Sequence, residues 1–195
     1  EKFMLPQDTS TPHRSETNGV AESAVRRVKE GTSCALGQSG LSDGGWAEAM
    51  ACFCFLKNIV DILWTGQTSY MMRFGENFSG PEIPFGAAVD YLPLSPEDQG
   101  RTHQMSGKWL RGIFAGYKQQ KGGGWSGNLK VFDRDEMNES KHMSQVYIRD
   151  LPSAQVWPQM VDGDYHFPLF GDEPELNQPG QKASEVSRKK LRKDR

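Results

Sequence analysis

Cysteine is scarce in this sequence. Cys34, Cys52 and Cys54 are an odd number and cannot form a paired disulfide framework, so a reducing compartment fits best. Cys52 and Cys54 stand two apart on a helical pattern and point in different directions, and no Cys/His set has zinc spacing. An excess of positive charge is also missing. Lys and Arg number 23 against 25 Asp and Glu, so no global basic field argues for nucleic acid. Long hydrophobic runs are absent: the most apolar stretch, Ala47 to Trp64, carries Glu48, Lys57, Asn58 and Asp61 and is too polar to span a bilayer. No basic-then-apolar leader follows Glu1, so the chain reads as not secreted, with nucleus or cytoplasm as the expected location and no membrane partner. Apolar residues are lean at 36%, while 21 Gly and 11 Pro imply many turns around a modest core.

Two helices are expected first. Past the polar stretch 9–18, Asn18 is a suitable N-cap, and Val20, Ala21, Ala24, Val25 and Val28 fall on one arc of about 140°. Gly31 is a candidate stop, although the pattern runs on toward Leu36. After Asp43-Gly44-Gly45 a second helix is apolar nearly all round, from Trp46 to Trp64, with Gly66 as a candidate C-cap. Such a helix needs neighbours on several sides, and few elements here can supply them, which points to a packing partner beyond this chain. Tyr70 to Phe74 adds a short helical turn.

From residue 83 the texture turns to short apolar runs: 85–92, 110–117, 129–133 and 146–148. Gly112 and Gly116 suggest bends or bulges within a strand, and Gly122-Gly123-Gly124 reads as a hairpin turn rather than a phosphate loop. The expected class is α+β, with a helical part at 1–80, a small β-barrel at 81–150, and an acidic linker with a basic disordered tail at 151–195. Residues 151–187 hold six acidic groups against one basic, and 188–195 hold six basic against one acidic. The cluster Arg188-Lys189-Lys190-Leu191-Arg192-Lys193 fits a nuclear import signal, a DNA-contacting tail or a solubilising terminus.

The most informative stretch is Thr11-Pro12-His13-Arg14-Ser15-Glu16-Thr17-Asn18-Gly19-Val20-Ala21-Glu22. It resembles the segment around the third catalytic acid of Copia-type retrotransposon integrases, where a polar His-Pro-type loop leads to Asn-Gly-Val-Ala-Glu at a helix start. Trp46-Ala47-Glu48-Ala49 is similar to that family's second helix. Gln67-Thr68-Ser69-Tyr70 with Arg73-Phe74-Gly75 resembles its Thr-Pro-Tyr-Glu…Phe-Gly segment, with Ser69 and Met71 departing from Pro and Glu. Pro84-Phe85-Gly86 and Gly112-Ile113-Phe114-Ala115-Gly116-Tyr117 resemble the SH3-like barrel that follows the catalytic core.

The resemblance covers roughly residues 9–150. It implies the C-terminal helices of an RNase H-like integrase core, then an SH3-like barrel, within a Pol polyprotein that performs DNA integration by two-metal phosphoryl transfer with Mg²⁺. Glu22 matches the third carboxylate and so is the implied catalytic and metal-ligating residue. The first two acids would lie in an upstream part of the core, so the chain alone is expected to be inactive. DNA, the missing core and further copies of the integrase are the implied partners.

Other readings stay open. Glu22 and Arg26, at i and i+4, also fit an ordinary surface ion pair. Arg26 and Lys29 share that face and fit either phosphate contacts or plain solvation. His13 fits a site-assisting group or an exposed loop residue. Lys108-Trp109, Tyr117-Lys118, Lys121, Trp125 and Lys130 mix basic and aromatic side chains as nucleic-acid binders do, with Lys108, Lys118 and Lys121 as candidate contacts. Trp109 and Tyr117 are read as barrel core. The competing function is a catalytically dead, domesticated interaction module that binds protein or nucleic acid through the barrel.

Overall fold

A computed structural model describes residues 19–102, 107–140 and 142–170. The loop at 9–18 with His13 and the Asn18 cap, and the tail beyond 170 with its basic cluster, lie outside the described residues. The class is α+β: helices packed on an antiparallel sheet.

Helix α1 (Gly19–Ser39) runs through Gly31 instead of stopping there. A side chain at Gly31 would collide with the Phe53 ring, so this glycine is where α1 meets helix α2 (Trp46–Val60). α2 lays Ala49, Cys52, Phe55 and Ile59 into the core and turns Phe53 toward α1. The helix that reads as apolar all round thus finds two neighbours within this chain, while Trp46 and Val60 stay more than half exposed. It also ends at Val60, short of Trp64. Gly66, at φ 78°, closes the turn from Leu63 rather than capping the helix. Helix α3 (Ser69–Phe74) has chemical stops at both ends: Thr68 Oγ1 accepts from the Met71 N–H at 3.2 Å, and Gly75 adopts the left-handed conformation.

The sheet comprises β1 (Ala88–Tyr91), β2 (Leu110–Gln119), β3 (Trp125–Asp133), β4 (Ile148–Pro152) and β5 (Val156–Pro158), in the order β4-β3-β2-β1-β5. The long β1–β2 connection carries the short helix α4 (Pro96–Gln99), and α5 (Arg134–Glu139) follows β3 directly. The two edge strands are consecutive in the chain, joined by one turn of 3-10 helix at Ser153–Gln155. A flat five-stranded sheet is roughly 19 Å across. Three residues in a 3-10 turn advance only about 6 Å. The sheet must therefore curl until its edges approach, which makes it barrel-like.

The anticipated boundaries shift accordingly. Strands of the sheet continue to residue 158, and a small hairpin of β6 (Met160–Val161) and β7 (Asp164–Tyr165) follows, so the described part of the segment from 151 is not a linker. The hairpin is tied back by Ala88 N–H donating to the His166 carbonyl at 2.7 Å. The packing does not divide at residue 80 either. One core cluster runs from Leu41 through Phe55 and Tyr70 to Phe114, Tyr117, Leu129 and Val156. Helix α2 covers the sheet where Phe55 stacks on Tyr117 with ring centroids 4.5 Å apart.

The two glycines expected to bend β2 differ. Gly116, at φ 130°, sits at a register shift and lies against Cys52 of α2. Gly112 is straight in the ladder but leaves room for Val131 and Tyr91. The glycine turn at 122–124 does join β2 to β3, closed by Gln120 N–H donating to the Gly124 carbonyl at 2.8 Å.

Gly86 joins the helices to the barrel. Its φ is 83°, its N–H donates to the Phe114 carbonyl at 2.9 Å, and a Cβ there would strike the fully buried Ser39. Gly86→Ala therefore combines left-handed strain with overpacking and is expected to cost about 2–4 kcal/mol. Gly127 has a similar φ of 87° but open space around it, so Gly127→Ala isolates the strain at about 1–2 kcal/mol. Urea unfolding of both variants measures the difference, and equal losses would remove Ser39 from the explanation.

Candidate nucleic-acid interface

Glu22, Arg26 and Lys29 all lie exposed in the first half of α1, with Glu22 in its first turn. They share one face at helical spacing. The i,i+4 ion pair is not formed, and no ion pair among the described residues engages any of the three. The apolar arc of the same half-helix is uncovered too: Val20 is 88% exposed and Val25 53%. α1 packs mainly through its second half, where Gly31, Ala35 and Leu36 approach α2 and the core, while Val28 in the first half is partly buried. Among the described residues no three His, Cys, Asp or Glu side chains gather closely enough to hold a metal ion. Glu22 alone does not make a divalent-cation site.

The barrel lysines separate into two kinds. Lys108 and Lys121 are exposed and engaged by no ion pair among the described residues. Lys118 is spent on Asp150 of β4, Nζ to Oδ2 2.6 Å, and Lys130 stands opposite the same Asp150 in the β3–β4 register. Of the aromatics flagged beside them, Tyr117 is core, with its hydroxyl donating to the Pro81 carbonyl at 2.9 Å. Trp125 is half-buried, its indole N–H donating to the Asn128 carbonyl. Trp109 is not core. It is 43% exposed and meets Trp157, equally exposed, edge to face with centroids 4.0 Å apart.

Trp157 and Arg111 went unnoticed in the sequence. Asp90 is in register with both, so Arg111, Asp90 and Trp157 form a row across β2, β1 and β5 on one face of the sheet. Trp109 stands two residues before Arg111 on the same chain segment. The only local signal for Trp157 is a three-residue strand between turns, too short to show an alternation.

A second polar cluster holds the β1–β2 loop. Arg149 of β4 donates Nε and Nη2 to Asp98 of α4 at 2.7 and 2.9 Å, and Nη1 to Glu136 of α5 at 2.8 Å. Arg101 grips the fully buried Asp133 with both terminal nitrogens, at 3.0 and 3.1 Å, and the Tyr91 hydroxyl donates to the same carboxylate at 2.6 Å. Hydrogen bonds from Arg149 hold the Asp98 carboxyl below its ordinary range. Burial alone would raise Asp133, but donors from Arg101, Tyr91 and the Glu136 backbone outweigh it, and the net direction is down. These charges are engaged with one another, as in a clamp, rather than turned toward a reacting group. Cys52 offers no nucleophile, since burial pushes its thiol up to about 12.

The arrangement can therefore do two things chemically: present flat aromatic surface at Trp109 and Trp157 near Lys108 and Arg111, which no ion pair among the described residues engages, and present one exposed carboxylate on α1. No helix among the described residues is long and apolar enough to cross a membrane. No protein-family model, curated protein or solved structure matches the chain.

Proposed function

We propose that this chain is the C-terminal part of a Copia-type retrotransposon integrase, supplying Glu22 to the catalytic centre and binding DNA through its barrel. The observation that carries the reading is the condition of the first half of α1, where Glu22 and an apolar arc are both left facing outward. An amphipathic helix whose apolar arc is uncovered has a surface to bury, and here that helix bears the carboxylate matched by the resemblance. In this reading an RNase H-like core packs around this half-helix, covering the arc and bringing the remaining two acids to the Glu22 side. The strand order β4-β3-β2-β1-β5 with a 3-10 turn before β5 supports an SH3-like barrel. Mg²⁺ would supply Lewis-acid stabilisation of the transferring phosphoryl group in the assembled enzyme. The residues described here hold one ligand for it.

The shared core of α2 and the sheet favours the second reading, a self-standing interaction module, because the barrel is covered without any added sheet.

DNA binding by the barrel is testable on the chain itself. Affinity for duplex DNA should be weak and fall steeply with salt. Lys108→Ala and Lys121→Ala are each expected to lower the slope of log K against log salt by about 0.9. Lys118→Ala should change it by less than half as much, since that ammonium already faces Asp150. Fluorescence anisotropy across a salt series reads this. Absence of binding even at low salt would leave the barrel a structural or protein-binding unit.

A further inference from the structure

We infer that the Trp109–Trp157 pair is a stacking site for unpaired nucleobases, with Lys108 and Arg111 receiving the adjoining phosphates. The inference rests on the nucleic-acid reading above and specifies its ligand as single-stranded. Both indoles are 43% exposed although they touch each other edge to face at 4.0 Å, so each retains free ring surface. A tryptophan that only seals the fold behaves like Trp125 here, half-buried with its indole N–H satisfied internally.

The surroundings select the ligand. Lys108 and Arg111 are exposed and unused by any ion pair among the described residues. The one acid in the row, Asp90, has Oδ1 occupied by Gln159 Nε2 at 2.8 Å. The face thus combines aromatic planes with Arg111, and Lys108 adjoins Trp109 in the chain, which is the pairing that binds single strands: bases stack and the backbone is neutralised. Duplex DNA keeps its bases stacked on each other and offers the indoles no base face.

The test compares three labelled probes on the full chain by anisotropy: a short thymidine oligonucleotide, an abasic strand of the same length, and a duplex hairpin. The thymidine strand should bind about 5- to 150-fold more tightly than the abasic strand, whose charge is the same. Trp109→Leu and Trp157→Leu, which keep apolar volume on the sheet, should each remove most of that ratio while changing hairpin binding less than about twofold. Circular dichroism establishes that both variants are folded. The abasic comparison needs no variant, so the test survives a misfolded mutant. Equal binding of thymidine and abasic strands by the native chain would overturn the stacking site and leave the DNA-binding reading intact. A ratio that persists in both folded Leu variants would place stacking elsewhere and overturn this assignment. Failure of all three probes to bind at low salt would overturn the underlying reading as well.

Discussion

Asp133→Ala is expected to cost about 3–5 kcal/mol of folding stability, a large share of the ~5–15 kcal/mol that holds a domain together. The carboxylate is fully buried and receives the Arg101 guanidinium, the Tyr91 hydroxyl and the Glu136 backbone N–H. Its removal strands the buried Tyr91 hydroxyl and takes from Arg101 its one fully buried acceptor, and a broken buried pair costs far more than the intact pair contributes. It also weakens the hold on the β1–β2 loop, which keeps only the Arg101–Asp135 and Arg149–Asp98 ties. Urea unfolding monitored by tryptophan fluorescence would read the loss, and a change under about 1 kcal/mol would mean the loop holds without the clamp.

The same cluster sets the acid response. Asp98 and Asp133 both titrate below their ordinary range in the folded chain. A group with a lowered folded pKa stabilises fully above its unfolded value, about 3.9 for Asp. That contribution disappears as pH falls from there through the folded value. The native chain should lose stability steeply below about pH 4, and Asp133→Asn should show a shallower decline because one of the two linked carboxylates is gone.

Glu22→Gln is the second large effect, and it bears on activity. In a protein extended to carry the other two acids of the core, strand transfer is expected to fall to background while folding stays unchanged. Glutamine keeps the length and helix propensity of glutamate but loses the anionic ligand that a hard cation requires. Stability should move by less than about 0.5 kcal/mol, because Glu22 is exposed and engaged by no ion pair among the described residues. Glu30→Gln is the control, exposed on the same helix but turned about 80° from Glu22. The 195-residue chain alone should show no DNA cleavage with Mg²⁺, since one carboxylate cannot hold two divalent ions against water. Near-parental strand transfer by Glu22→Gln in the extended protein would end the integrase assignment of this residue and favour the interaction module.

Local chemistry made several elements legible from residues alone. The apolar stripe of α2 from Trp46, the short helix around Tyr70 to Phe74 and the turn at 122–124 each depend on near neighbours in the chain, so a short window contains their cause. Gly31 shows the limit of such windows: read locally it stops a helix, yet here it lets Phe53 approach and the helix continues. The candidate site was legible only in part, as residue types. Lys118 and Lys121 look alike in sequence, and an aspartate 32 residues away neutralises one of them.

What the sequence by itself determined is that two long helices, a short third one and the glycine turn at 122–124 form, because periodicity and turn chemistry are properties of a few consecutive residues. The tertiary structure decided everything set by distant registers. It placed β5 beside β1, which drew Trp157 out of an apparent linker and onto Trp109, and so made a surface of a presumed core residue. It also joined Arg149 to Asp98 across 51 residues. A three-residue strand carries too little alternation to announce its partner. Its place follows from the one 3-10 turn that joins it to β4 and carries the chain from one edge of the sheet to the other.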